Sequence, residues 1–267
     1  MNTVKIYWFS FWYAVAFLTR IPAVNLSAAL KKNTLKISQC SLYFYPLVGM
    51  ILGSILFLIY AVCTFHTSLS VPGFNSSNLV IAALIVMVWC ITTGGLHIDG
   101  LADAADAWVG GYGDKQRTLD IMKDPTVGPM GLMLVVLVLL LKFSALVVML
   151  DKFESWRVFG ALMIVPMLAR FSIIPLFYFT PYVREKGLGS NLKQSISPIM
   201  LGTIATVCTL LSVVFLQQKA LLILILMGAI LLWARNMMLQ RIGGTTGDTA
   251  GALIEVQETL LLAALVL

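Results

Sequence analysis

Long apolar runs separated by short polar segments fill the chain, at 42–65, 78–97, 129–150, 157–180, 199–216 and 220–238, with weaker runs at 5–19 and 250–267. A helix needs about 20 apolar residues to cross a bilayer. The pattern therefore predicts an all-α fold: a polytopic membrane helical bundle of about six to eight transmembrane helices, with loop helices on the cytoplasmic side, forming one membrane-embedded domain over 1–267. The first run is crowded with aromatics (Trp8, Phe9, Phe11, Trp12, Tyr13) and leads into TRIP rather than a small-residue cleavage site. It reads as a retained span or an interfacial helix.

Alternate polar segments differ in charge. Those at 20–41, 98–128, 181–198 and 235–249 carry 4, 3, 3 and 2 Lys and Arg, against 0, 2 and 1 at 66–77, 151–157 and 217–219. The positive-inside rule makes the first set cytoplasmic. The same four segments hold most of the acids, most glycine clusters and His97, so any chemistry is expected to face the cytoplasm. The longest polar segment, Asp99 to Asp124, is where a functional structured loop is expected.

Composition narrows the class further. With 60% hydrophobic and 11% charged residues, a soluble globular domain is excluded. The net charge of +6 comes from scattered cations, with no run beyond Lys31 and Lys32, which fits positive loops and excludes a nucleic-acid partner. Cys40, Cys63, Cys90 and Cys208 are too far apart for a zinc pattern or a disulfide framework, and the two histidines, His66 and His97, offer no haem pair between helices.

The twelve acids are the informative residues, and none precedes Asp99. Asp99, Asp103 and Asp106 are spaced i, i+4, i+7, which puts three carboxylates on one helical face. Like charges stacked at the end of an apolar span call for a cation, and oxygen-only donors suit magnesium or manganese; a solvated acidic face of a loop helix is the plainer alternative. A second cluster, Asp248, Glu255 and Glu258, again shares a face at the mouth of an apolar run. Before it, Gly243, Gly244 and Gly247 with Thr245 and Thr246 form either a phosphate cradle at a helix N-terminus or a tight turn. Arg170 and Lys142 lie inside spans, where pairing with an acid or a phosphate is expected, most of all for Arg170. Arg184 and Lys186 are flanked by glycines and are candidate phosphate contacts. His97 either ends a span or serves as a general base beside the carboxylates.

Carboxylates with a divalent metal, cations and a glycine-rich turn are the parts for displacement at phosphorus. At this point the segments GGLHIDGLADAADAW, IMKDPTVGPMG and GGTTGDTAGALIEVQE resemble those of the cobalamin synthase (adenosylcobinamide-GDP ribazoletransferase) family. FLTRIP, YPLVG and the Ala169–Arg170 pair fit as well, in family order across the whole chain. The resemblance implies a magnesium-dependent, multi-pass enzyme of the cell inner membrane with one catalytic domain. It implies that α-ribazole or its 5′-phosphate attacks the cobinamide-linked phosphorus of adenosylcobinamide-GDP, GMP leaves, and adenosylcobalamin or its 5′-phosphate forms. A homo-oligomer, or association with other nucleotide-loop enzymes, is a further expectation.

Residue roles go beyond that resemblance. Asp99, Asp103 and Asp106 are expected as metal ligands, Asp248, Glu255 and Glu258 as a second metal or positioning set, Lys123 and Arg170 as diphosphate contacts, and His97 or a carboxylate as base. The CDP-alcohol phosphotransferase pattern fits less well: Asp99 and Gly100 match its start, but Asp103 and Ala104 stand where Ala-Arg is required. An ion-coupled transporter should place its acids near the midplane and show a two-fold repeat, and no repeat is visible.

Overall fold

A computed structural model describes residues 2–67, 76–184 and 196–267 of the protein. The apolar runs become helices because, in lipid, a chain must satisfy its backbone polar groups internally. Five stretches of the described residues are long and apolar enough to cross a membrane: Asn33–Phe65, Pro129–Lys152, Ser155–Phe179, Pro198–Ile242 and Gly247–Val266. The protein is thus a multi-pass helical membrane protein. The first helix, α1 (Thr3–Leu18), is shorter than these and is followed by α2 (Ser27–Ser41), which occupies a segment expected as a loop.

The bundle is built around α8 (Ser155–Phe171), which is apolar apart from Arg170 and buried from Gly160 to its end, as a helix without a polar face must be. Around it pack α3 (Tyr45–Thr67), α10 (Pro198–Leu216) and α12 (Gly247–Val266), with α7 (Pro129–Lys152) against α12. The stretch Pro198–Ile242 contains two helices, α10 and α11 (Ala220–Ile242), parted at Gln217 with φ 49. They reverse direction: Phe215 near the end of α10 meets Gly160 at the start of α8, whereas Arg235 of α11 bonds the Phe179 carbonyl beyond its end.

The expected span 78–97 is broken. The fourth helix, α4 (Ser76–Thr93), stops at Gly94 and Gly95, whose φ values of 64 and 70 lie in the left-handed region, and α5 (Leu96–Gly110) leaves at 86°. A left-handed conformation costs a non-glycine residue about 1–2 kcal/mol, so the Gly-Gly pair is what permits the turn. His97 consequently belongs to the same helix as Asp99 rather than to the end of a span.

At the same end of the bundle lie α6 (Lys115–Ile121) and the short α9 (Ile173–Phe179). There the segment after α9 pairs with the turn before α12: the Val183 amide donates to the Thr245 carbonyl at 2.9 Å, and the Thr245 amide to the Pro181 carbonyl at 2.8 Å.

Candidate active site

A cavity of about 910 Å³ opens where α1, α3, α5, α9 and α12 converge, near the top of the range of about 300–1,000 Å³ usual for small-molecule sites. Its lining includes His97, Asp99, Lys123, Arg184 and Asp248 together with five aromatic side chains. Five residues singled out in the sequence, from four separate segments, therefore share one pocket.

The carboxylates are brought together by the crossing of α5 and α12. Gly100 of α5 lies against the backbone of Asp248, so the first turns of both helices present carboxylates to one place. Arg184 forms an ion pair with Asp248 and donates to the Met122 carbonyl at 3.3 Å. His97 is 5% exposed, and its Nδ1 has no hydrogen-bond partner. A buried imidazole nitrogen without a partner is costly unless something binding in the cavity supplies one.

Asp103 sits one turn beyond Asp99, partly buried. Its carboxyl is pushed up to about 6, first by burial and then by the charges of Asp99 and Asp248, with Arg184 opposing. That excess negative charge, on hard oxygen donors, is the local chemistry a magnesium ion relieves. Among the described residues no three His, Cys, Asp or Glu side chains are gathered into a metal cage. Magnesium does not require one, because it is commonly held by one or two carboxylates together with substrate phosphates.

Other expected site residues have different surroundings. Asp106 accepts the Gly128 amide at 2.7 Å and the Gly131 amide at 2.9 Å, so both of its oxygens serve the N-terminus of α7, where a carboxylate meets unpaired N–H groups and the positive end of the helix dipole. Glu255 and Glu258 were expected with the metal; they instead face two cations. Lys142 bonds Glu255 and, at 3.0 Å, Glu258, while Arg170 bonds Glu258 and donates to the Pro166 carbonyl at 3.1 Å. Lys142 also lies 4.6 Å from the centre of the Trp89 ring. All four charged groups are buried, and Arg170, at 0% exposure, is sealed away from the cavity instead of meeting a diphosphate. Their depth is the reason: charges in an apolar bundle persist only when paired.

The proposed phosphate cradle is also occupied. Thr246 caps α12, accepting from the Thr249 amide, and its own amide donates to the Thr249 hydroxyl at 2.9 Å, a reciprocal capping box. The Thr245 amide on Pro181 and Gly244 packed against the Pro181 carbonyl tie Gly244, Thr245 and Thr246 into the turn before α12. Lys123 is exposed and pairs with Asp120 at 3.3 Å. The Thr126 hydroxyl and amide hold the exposed Asp124 carboxyl below its usual range. Lys186 lies outside the described residues.

Sequence reasoning missed the aromatic wall, which comprises Tyr13, Phe17, Tyr45, Phe177 and Tyr182. Its signal was present as the aromatic crowding of the first run, with Tyr13 and Phe17 one helical turn apart, but that crowding has a simpler explanation as a membrane-interface belt.

The sequence model of a family described as cobalamin-5-phosphate synthase matches residues 10–266. Proteins named adenosylcobinamide-GDP ribazoletransferase are similar over nearly the full length. One from Stutzerimonas stutzeri (strain A1501) is 44% identical over 258 residues, covering 95% of this chain and 96% of its own. One from Acinetobacter baumannii (strain ACICU) is 43% identical over 252 residues, 94% of each chain. One from Pseudomonas fluorescens (strain Pf-5) is 41% identical over 256 residues, covering 94% and 96%. No solved structure matches the chain.

Proposed function

The chain belongs to the cobalamin-5-phosphate synthase family, and from that membership we propose that it works as an adenosylcobinamide-GDP ribazoletransferase, assembling the cobalamin nucleotide loop within the membrane. A hydroxyl of α-ribazole or its 5′-phosphate attacks the cobinamide-linked phosphorus of adenosylcobinamide-GDP. A new P–O bond forms, the bond to the bridging oxygen of GMP breaks, and the hydroxyl proton passes to a base. The observation that carries this reading is the single cavity in which Asp99, Asp248, Arg184, Lys123 and His97 meet a broad aromatic wall, suited to a charged diphosphate joined to bulky groups.

One or two of the carboxylates of Asp99, Asp103 and Asp248, together with diphosphate oxygens, would hold magnesium, which would neutralise charge on the leaving phosphate. Arg184, paired with Asp248 in the free protein, is placed to share its charge with the departing GMP phosphate. Lys123 stands at the exposed edge of the cavity and adds a second cation. His97 or one of the neighbouring carboxylates accepts the hydroxyl proton; burial first and then the Arg170 charge push the imidazole down to about 3, which keeps it neutral.

The cation-rich polar segments orient the mouth of the cavity toward the cytoplasm, in the cell inner membrane. The test is GMP formation from adenosylcobinamide-GDP by purified, detergent-solubilised protein with magnesium, with α-ribazole and its 5′-phosphate compared side by side. GMP release that depends on either acceptor is expected; no release with either overturns the reading.

A further inference from the structure

The aromatic wall is an ordered array. Tyr13 and Phe17 of α1 are stacked with ring centres 6.4 Å apart and planes 9° from parallel, and Phe17 continues onto Tyr45 of α3 at 6.2 Å and 25°. The same cavity is bounded by Phe177 of α9 and by Tyr182, which meet edge to face at 6.0 Å. The middle ring of the stack, Phe17, lines the cavity and is 36% exposed. Two sets of aromatic side chains thus line the chamber that also carries Asp99 and Asp248.

We propose that the stack of Tyr13, Phe17 and Tyr45 is the binding subsite for the planar base of the incoming nucleoside, the benzimidazole of α-ribazole, and that Phe17 is its central stacking residue. The inference rests on the function proposed above and adds the place of the acceptor to it. Offset stacking of a planar heterocycle on an aromatic face is favourable and tolerant of ring identity. What selects this base over the guanine of the donor is its edge. Guanine carries a carbonyl and two N–H groups that lose hydrogen bonds in apolar surroundings, whereas the outer edge of dimethylbenzimidazole carries only methyl groups. The cavity is lined by Leu18, Ile173 and Ile254, which match methyl groups, and by Ser38 and Ser41, whose hydroxyls already donate to the Leu35 and Ser38 carbonyls. The same cavity carries Asp99, Arg184 and Asp248, where the ribose hydroxyl would meet the donor phosphorus.

The test is steady-state kinetics of solubilised wild-type, Phe17→Leu and Phe17→Trp proteins, varying α-ribazole and adenosylcobinamide-GDP separately. Phe17→Leu is expected to raise KM for α-ribazole about tenfold, the effect of losing one base-stacking partner, while KM for adenosylcobinamide-GDP and kcat stay within twofold. Phe17→Trp is expected to restore the wild-type KM for α-ribazole. A rise in KM for adenosylcobinamide-GDP alone would mean that the stack takes the guanine or the corrin, and would overturn the proposal. So would unchanged constants for both substrates, or a fall in kcat with neither KM altered, which marks a packing role. Wild-type protein that releases no GMP would refute the proposed function itself, which separates the two failures.

Discussion

Gly100 on α5 and Asp248 on α12 touch backbone to backbone: a Cβ at position 100 would stand 2.7 Å from the Asp248 carbonyl oxygen. This contact is what draws together carboxylates that lie far apart in sequence. Even Gly100→Ala must separate the two helices by a fraction of an ångström or more. Overpacking of this kind costs about 1–3 kcal/mol, and a displacement near 1 Å at a reacting centre costs about 100-fold in rate. We expect Gly100→Ala to remain folded in detergent, with a lowered melting temperature and GMP release reduced about 100-fold. A variant with near-normal turnover would show that the crossing does not set the site.

The Lys142, Arg170, Glu255 and Glu258 cluster makes a different prediction, because its members face each other and not the cavity. Removing one partner of a buried ion pair leaves an uncompensated charge and costs about 3–5 kcal/mol. Glu258→Gln should therefore lower thermal stability strongly, while the protein that stays folded needs the same magnesium concentration for half-maximal GMP release. Lys142→Met combined with Glu255→Gln restores charge balance and should be more stable than Lys142→Met alone. An increased magnesium requirement in Glu258→Gln would return that residue to the metal site.

Asp103 gives the pH dependence. Its carboxyl ionises near pH 3.8 in the unfolded chain but holds its proton to about 6 in the fold, through burial and the neighbouring Asp99 and Asp248 charges. The folded state therefore binds more protons over that interval, and this group's contribution to stability falls as pH rises from about 4 to 6 and stays low above it. Without magnesium, Asp103→Asn should raise the melting temperature at pH 7.5 and leave it nearly unchanged at pH 4. Because protons and metal compete for the carboxylate, the wild-type magnesium requirement should increase as pH drops below about 6. A requirement that is flat from pH 5 to pH 8 would remove Asp103 from the metal-binding set.

Most of the helices were legible as apolar runs, and the i, i+4, i+7 spacing of Asp99, Asp103 and Asp106 did place them on one helix. What the pattern could not carry is depth and partner. Glu255 shares the face of Asp248, yet at about 1.5 Å per residue it lies roughly two turns further along α12, where Lys142 and Arg170 arrive from other helices. Spacing along one helix says which residues share a face, whereas pairing depends on what the neighbouring helices bring to that level. The break at Gly94 and Gly95 was hidden for a related reason: two glycines hardly interrupt an apolar run, but their left-handed conformation moves His97 out of the span and into the site. The aromatic wall was hidden because a membrane-interface belt and a ligand platform have the same composition.

Asp99 and Asp106 offer the sharpest discrimination, since they share a helix and a charge but not their partners. Asp106 receives two backbone N–H groups from the start of α7, so Asp106→Asn keeps one acceptor and loses the other, along with the negative charge at the helix N-terminus. Loss of such a cap costs about 0.5–2 kcal/mol, and its effect on turnover should follow stability alone. Asp99 lines the cavity beside His97 and Asp248, and Asp99→Asn is expected to leave the melting temperature within a degree or two while cutting GMP release at least 100-fold, the scale of losing one electrostatic group at a reacting centre. Measured together, melting curves and GMP release at saturating and limiting magnesium separate the cap from the ligand. Equal losses of activity in both variants, with stability unchanged, would instead place Asp106 among the metal-binding carboxylates, and its bonds to α7 would then serve to orient it.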